Sequence, residues 1–433
     1  MRNPRLAPFW ALLAVVFVVA TATSCAPTVQ ADADVAAPSR DLSAATPEDV
    51  GMSSARLERL SAAMQELVDE GELAGIATVV ARRGRTVHSS THGHQNLESG
   101  TPMALDSIFR IHSMTKPITG VALMMLYEEG AFRLSDPVGR HIPELADLKV
   151  WAGPGKVEEP DHPMTVRELM SHSGGLTYGL FSQSEVDQMY TDANILDRNS
   201  TLDEMIDKLA AIPLMHQPGT RWHYSVAVDV QGYLVEVLSG QPFDAFLEER
   251  IFEPLAMHDT GFVVPQEKAD RIAQIYAYAE DRSLVPHTGL GANDPLEDAA
   301  FKSGGGGLLS TPRDYLRFSQ MLLNGGELDG VRILSPLTVD LMHRNHLPRE
   351  AAEMAPGTGF GLDFAVVLDP VEADGVSAGE YYWSGLAGCW FWIDPVEDLV
   401  FVGMIQQMGR GRPNIRSLSH RLTYQAILDP VGI

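Results

Sequence analysis

Residues 108–120 read Ile-Phe-Arg-Ile-His-Ser-Met-Thr-Lys-Pro-Ile-Thr-Gly. An extended apolar segment, 108–111, runs into a helical pattern over 118–127 that Gly130 ends. Ser113 therefore opens a helix. Residues three apart share a helical face, so Lys116 reaches the Ser113 hydroxyl, while the first-turn N–H groups, free of intrahelical partners, face any oxyanion formed there. An alcohol beside an amine at such a point is the arrangement that nucleophile activation requires. Taken alone, the same pattern also fits a serine that merely caps the helix.

Outward from this stretch, 54–73 has helical spacing, with Leu57, Leu60, Met64 and Leu67 on one face. The run 75–80 reads as a buried strand, and 86–92 follows the turn Arg83-Gly84-Arg85 as its hairpin partner. Between Pro137 and Pro265 helical patterns alternate with Pro- and Gly-rich connections. Thr311-Pro312-Arg313-Asp314 is a capping box that opens a helix to 323, which Gly325-Gly326 ends. Strands return at 381–383, 389–393 and 399–405, and a last helix spans 417–428. Strands at both ends of the chain with helices between them predict an α+β fold, one antiparallel sheet flanked by helices and interrupted by a mostly helical subdomain.

Four further blocks give the opening stretch its meaning. Leu169-Met170-Ser171-His172-Ser173-Gly174-Gly175-Leu176, then Pro218-Gly219-Thr220-Arg221-Trp222-His223-Tyr224-Ser225, then 304–311, and finally Trp383-Ser384-Gly385 follow Ser113-Met114-Thr115-Lys116 in order. Together, from Gly51 to Leu428, the sequence resembles the β-lactamase-related serine hydrolases (class C β-lactamase-like), and within them the family VIII carboxylesterases. The resemblance implies the β-lactamase/penicillin-binding transpeptidase-like fold, with Ser113 as nucleophile and Lys116 and Tyr224 as its proton-handling partners. It implies an oxyanion hole from the backbone N–H groups of Ser113 and Leu386, and substrate contacts from Trp383, Ser384, Gly385 and Val226. Two departures stand out. Val226 replaces the asparagine of the lactamase Tyr-x-Asn motif, and Trp383 replaces the lysine of Lys-Thr-Gly. Both remove polar groups, so the expected pocket is apolar and the expected substrate a small neutral carboxylic ester cleaved through an acyl-serine. Which of Lys116 and Tyr224 is the general base stays open. The alternatives are a β-lactamase or D,D-peptidase, and a non-catalytic envelope binding protein on the same fold.

A competing nucleophile is Ser377, in Gly375-Val376-Ser377-Ala378-Gly379, which matches the elbow of α/β-hydrolases. A strand-like segment follows it where a helix is needed, and Asp394, Asp398 and His420 lie too close for that fold, so a surface turn is expected. The glycines 304–307 lack the following Lys of a phosphate loop and read as a tight backbone approach. No metal or organic cofactor is implied.

Composition bounds the rest. The chain has 433 residues, 45% hydrophobic, with 32 basic against 57 acidic side chains and a formal charge of −25. That field repels phosphate backbones, which excludes nucleic acid as a partner class. Arg2 and Arg5 precede an apolar run over 9–20 that is short for a bilayer span, so 1–24 reads as a signal peptide. Ala22-Thr23-Ser24-Cys25 resembles a lipoprotein box, with Ala22 where Leu is usual, and predicts a lipid on Cys25, the one route to a membrane. Residues 25–45 read as a tether and 46–430 as the catalytic domain, its sheet-containing part 46–136 plus 300–430 and its helical subdomain 137–299. Ala20-Thr21-Ala22 also fits plain cleavage, so the expected location is the bacterial cell envelope, lipid-anchored or else periplasmic or secreted. Cys389, in an apolar run, reads as a buried small hydrophobe.

Overall fold

The run Gly75–Arg82 is buried at every position, and it becomes an inner strand of an eight-stranded antiparallel sheet. In the computed structural model, which describes residues 40–180, 183–348 and 354–431, the sheet is built from β1 (Gly75–Arg82), β2 (Arg85–Asn96), β3 (Thr101–Pro102), β4 (Thr358–Phe360), β5 (Ala365–Val367), β6 (Tyr381–Ser384), β7 (Trp390–Asp394) and β8 (Leu399–Met404). The spatial order is β4-β5-β6-β7-β8-β1-β2-β3. N- and C-terminal segments thus meet at the β1–β8 ladder, where Val79 faces Val402.

Side chains alternate across a strand, so a sheet covered on both faces needs two apolar sets. Ala77, Val79 and Ala81 of β1, with Phe391, Ile393, Val400 and Val402, join the larger core beneath α2 (Thr115–Glu128) and α4 (Pro312–Leu323). Ile76 and Val80, with Trp390, Trp392, Leu399 and Phe401, pack against α1 (Ser54–Asp69) and α5 (Ile415–Tyr424). The Trp392 and Phe401 rings stack at 4.0 Å. Helix α2 is buried from Thr115 to Leu126, as a helix apolar all round must be, and packs on α3 (Ala227–Ser239).

Three expectations need correction. The tether ends earlier than residue 45: Arg40 forms an ion pair with Asp398 at 2.6 Å, and the Leu42 and Ala45 N–H groups donate to Gly84 and Thr86 carbonyls. Edge hydrogen-bonding groups on β2 give this Ala-rich segment a partner that its composition does not reveal. The span 137–299, expected to be mostly helical, also holds strands: Val150–Gly153 pairs with Lys156–Glu158, and Tyr276–Tyr278 pairs with Leu284–Pro286 and, in parallel, with Gln407–Met408 beyond the main sheet. Nor does Ser113 itself begin the α-helix: it sits in a 3-10 turn, His112–Met114, and α2 starts at Thr115. Cys25, residues 1–24 and the tether to 39 lie outside the described residues.

Candidate active site

Ser113 is held by what comes before it. Phe109–Arg110 pairs with Leu309–Ser310, and the Ile111 N–H donates to the Leu308 carbonyl at 3.1 Å. His112 then takes φ 45°, a left-handed conformation that is uncommon for a side-chain-bearing residue and that turns the chain sharply. The buried Tyr315 hydroxyl donates to the Met114 carbonyl at 2.9 Å and fixes the far side of the turn.

Three groups converge on the turn. The Tyr224 hydroxyl donates to Ser113 Oγ at 2.7 Å, and Lys116 Nζ donates to the same atom at 3.2 Å. Lys116 is fully buried, and its other two N–H donors go to the Tyr178 hydroxyl at 2.9 Å and the Gly305 carbonyl at 2.6 Å. A lysine ammonium has three donors, and all three are used here. Its Nζ also stands 4.6 Å from the Tyr224 ring centre, close enough for the ring face to favour the cation. Burial raises the Tyr178 phenol well above its usual range, so Tyr178 holds its proton and positions Lys116.

Two buried carboxyls stand behind the lysine. Asp229 accepts from Ser303 Oγ at 2.5 Å and from the Gly305 N–H at 3.0 Å, and Asp363 accepts from Gln231 at 3.1 Å. Burial raises both above the usual carboxyl range, and the Lys116 charge opposes that rise in each. The glycines 304–307 do form the tight approach expected of them. A Cβ on Gly304 would lie 2.5 Å from the Val228 carbonyl, and one on Gly305 2.6 Å from an Asp229 carboxylate oxygen. Nothing larger than glycine lets the 305 carbonyl reach Lys116.

The third motif stands where the resemblance puts it. Trp383 and Ser384 end β6, and a Cβ on Gly385 would meet the Ile111 carbonyl at 2.3 Å, so the strand end lies directly against the Ser113 turn. Ser113, Tyr224, Trp383, Ser384, Gly385 and Leu386 all line one cavity of about 570 Å³. In its wall the Tyr224 ring stands 5.5 Å from Trp383 and 5.2 Å from Tyr178, and outside the lining it packs 4.9 Å from His172. Burial drives the His172 imidazole well below its ordinary pKa, so a neutral ring packs against Tyr224.

Val226 is placed elsewhere. Its side chain is wholly buried in the main core at the start of α3 and does not line the cavity, because the helix turns the residue two after Tyr224 inward. The cavity is not apolar throughout either: Arg110, Arg198, Lys302 and Arg412 line it as well. Ser377 lies in the expected turn, between exposed Val376 and Ala378, but its own side chain is buried. Its hydroxyl donates to Asp394 at 2.7 Å, while His420 pairs with Glu380 at 2.9 Å and makes no triad with it. Cys389 is fully buried as expected, its thiol pushed up to about 12 by burial.

Tyr178, Asp229 and Asp363 were not singled out from sequence, and Gly305 was read as part of a tight backbone approach without its contact to Lys116. Tyr178 lies two residues past the Leu169–Leu176 block, which was the one local signal available; the two aspartates look like ordinary polar positions until the fold brings them to Lys116.

Comparison with known proteins agrees with this architecture. The beta-lactamase family pattern matches residues 60–424. Esterase EstB of Burkholderia gladioli is 31% identical over 352 residues, covering 77% of this chain and 86% of EstB. Lovastatin esterase of Penicillium rubens is 28% identical over 372 residues, 79% of this chain and 91% of that protein. Among solved structures, EstCE1, described as a hydrolase with promiscuous acyltransferase activity, superposes with a TM-score of 0.75 at 27% identity, covering 86% of this chain and 99% of its own. With an α+β sheet built from both chain ends and this pattern along 60–424, the protein belongs to the beta-lactamase family and has esterase relatives over most of its length.

Proposed function

We propose that this protein is a serine carboxylesterase acting on small esters through an acyl-Ser113 intermediate. The observation that carries the reading is the convergence of Tyr224 and Lys116 on one hydroxyl, at 2.7 and 3.2 Å, in the wall of a cavity. The pair acts in the form that has given up one proton: Ser113 Oγ attacks the ester carbonyl and its proton passes to that vacant position on Tyr224 Oη or Lys116 Nζ, while the N–H groups of Ser113 and Leu386 receive the oxyanion. Tyr224 returns that proton to the departing alcohol. Water then attacks the acyl-serine by the same route in reverse, releasing the acid and restoring the hydroxyl.

The esterase relatives support an ester over a lactam, and so does Trp383, an indole where penicillin-recognising enzymes carry a lysine. A binding protein would have no use for a hydroxyl held between an amine and a phenol. The experiment is to treat the purified protein with a fluorophosphonate probe and locate the adduct by peptide mass spectrometry. One adduct on Ser113 is expected, and an unlabelled protein, or a label on Ser377 alone, would sink the proposal.

We also infer export and lipid attachment at Cys25, supported by the basic start, the apolar run over 9–20 and the small residues before the cysteine. A palmitate analogue fed to expressing cells should mark the wild type and not Cys25→Ala. A soluble, unlabelled wild type would refute lipidation.

A further inference from the structure

In a chain of formal charge −25, the cavity around Ser113 carries the opposite sign. Arg110, Arg198, Lys302 and Arg412 line it against one lining carboxylate, Asp294. Their partners separate these cations. Arg198 pairs with Glu297 at 3.2 Å, and Lys302 pairs with Asp298. Arg110 donates only to the Asn293 and Ala273 carbonyls, at 2.8 and 3.3 Å, with Asp294 as the nearby negative charge. Arg412 has no acid at all among the described residues: its Nη1 donates to the Leu386 carbonyl at 3.2 Å and the Gln407 carbonyl at 2.8 Å.

Both guanidiniums are partly withdrawn from water, which lowers the pKa of Arg412 and brings that of Arg110 down to about 10, and a carboxylate partner offsets that cost. Arg412, with no carboxylate to pair with, is therefore better explained by a ligand than by stability, and Arg110, with Asp294 near it, lies in the same cavity wall. Guanidinium is also the group whose flat fork matches a carboxylate through two parallel hydrogen bonds. Arg412 stands one residue from the third motif, since it holds the carbonyl of Leu386, so the anion it receives lies close to the scissile ester. Around the mouth, Leu180, Leu290 and Leu386 are exposed apolar side chains that also line the cavity.

From this arrangement we propose that Arg412, aided by Arg110, anchors a carboxylate on the substrate, so that the preferred substrates are amphiphilic esters bearing a carboxylate a few carbons from the scissile carbonyl. The inference rests on the esterase reading and replaces the neutral preference expected from Val226 and Trp383, of which Val226 does not reach the cavity.

The test compares two pairs of esters that differ only in charge. One is 4-nitrophenyl hydrogen adipate against its methyl ester, with the carboxylate on the acyl side. The other is 3-carboxyphenyl acetate against its methyl ester, with the carboxylate on the leaving side. In at least one pair, kcat/KM is expected to favour the carboxylate by roughly 10- to 100-fold, the value of a charge-assisted bidentate contact, and added salt should reduce the preference. Arg412→Met should bring that ratio to near one, and Arg412→Lys should restore part of it. A ratio between two substrates on one sample is independent of the fraction folded, so partial misfolding of a variant cannot imitate the result. Ratios at or below one in both pairs, or a preference that survives Arg412→Met, overturn the proposal. Turnover of neither member of either pair removes the esterase reading and this proposal with it, whereas turnover of both at equal rates removes this proposal alone.

Discussion

Ser113→Ala is expected to lower kcat for 4-nitrophenyl acetate by at least about 10⁴-fold, the scale on which removal of a covalent nucleophile acts when the oxyanion donors are left in place. The substitution removes the atom on which Tyr224 and Lys116 converge, and the other contacts of Lys116, the Tyr178 phenol and the Gly305 carbonyl, supply no aliphatic hydroxyl in its place. The fold should survive, because Ser113 lies in the cavity wall and its neighbours Ile111 and Met114 carry the packing. Ser377→Ala is the matched control. That hydroxyl is buried against Asp394, itself bonded to Tyr424 at 2.7 Å, so its loss should cost about 1–2 kcal/mol of stability and leave kcat within roughly twofold. Kinetics and thermal melts on both variants separate the two serines: activity lost in Ser377→Ala and kept in Ser113→Ala would reverse the assignment.

That contrast shows where sequence reading carries and where it stops. Periodicity located β1, β7 and β8 because they are buried on both faces, which leaves runs such as 75–80 apolar but for Thr78, whereas the short strands β3, β4 and β5 carry no such run. Spacing put Lys116 within reach of Ser113, but it was the family resemblance that singled the pair out and added Tyr224, one hundred and eleven residues from Ser113. The sign of the cavity wall was illegible for the opposite reason. Arg110, Arg198, Lys302 and Arg412 are dispersed over three hundred residues, and each alone is an unremarked cation in an acidic chain. Val226 was misplaced because a motif position two after Tyr224 was assumed to face the substrate, whereas the turn into α3 points it to the core. Ser377 was expected at the surface from its glycine neighbours, yet its hydroxyl is drawn inward by Asp394 from the adjacent β7. Arg82 is a further case: wholly buried, it bonds Glu397 at 2.6 Å and the carbonyls of Val50 and Asp429, tying both chain ends to the sheet through contacts more than thirty residues away in each direction.

The division of labour between Tyr224 and Lys116 can be read from the leaving group. Tyr224→Phe deletes the hydroxyl at 2.7 Å from Ser113 while keeping the ring that packs on Trp383, Tyr178 and His172. If Tyr224 protonates the departing alcohol, the cost depends on how much that alcohol needs the proton. An alkoxide leaves poorly without one, whereas 4-nitrophenolate is stable as an anion and leaves unaided. Proton transfer by a positioned acid accounts for about 10²–10⁴ in rate, so the variant should lose about 10³–10⁴-fold on an ethyl ester and only about 10²-fold on the 4-nitrophenyl ester with the same acyl group. The residual loss on the activated ester measures the other role of the phenol, taking the proton from Ser113 during attack. Tyr178→Phe provides the comparison, because Tyr178 touches Lys116 Nζ and its phenol is held protonated by burial. Its loss should cost about tenfold on both esters alike. Equal losses for Tyr224→Phe on the two esters would confine Tyr224 to deprotonating the serine and leave protonation of the alcohol to Lys116, and no loss on either would exclude Tyr224 from proton transfer altogether.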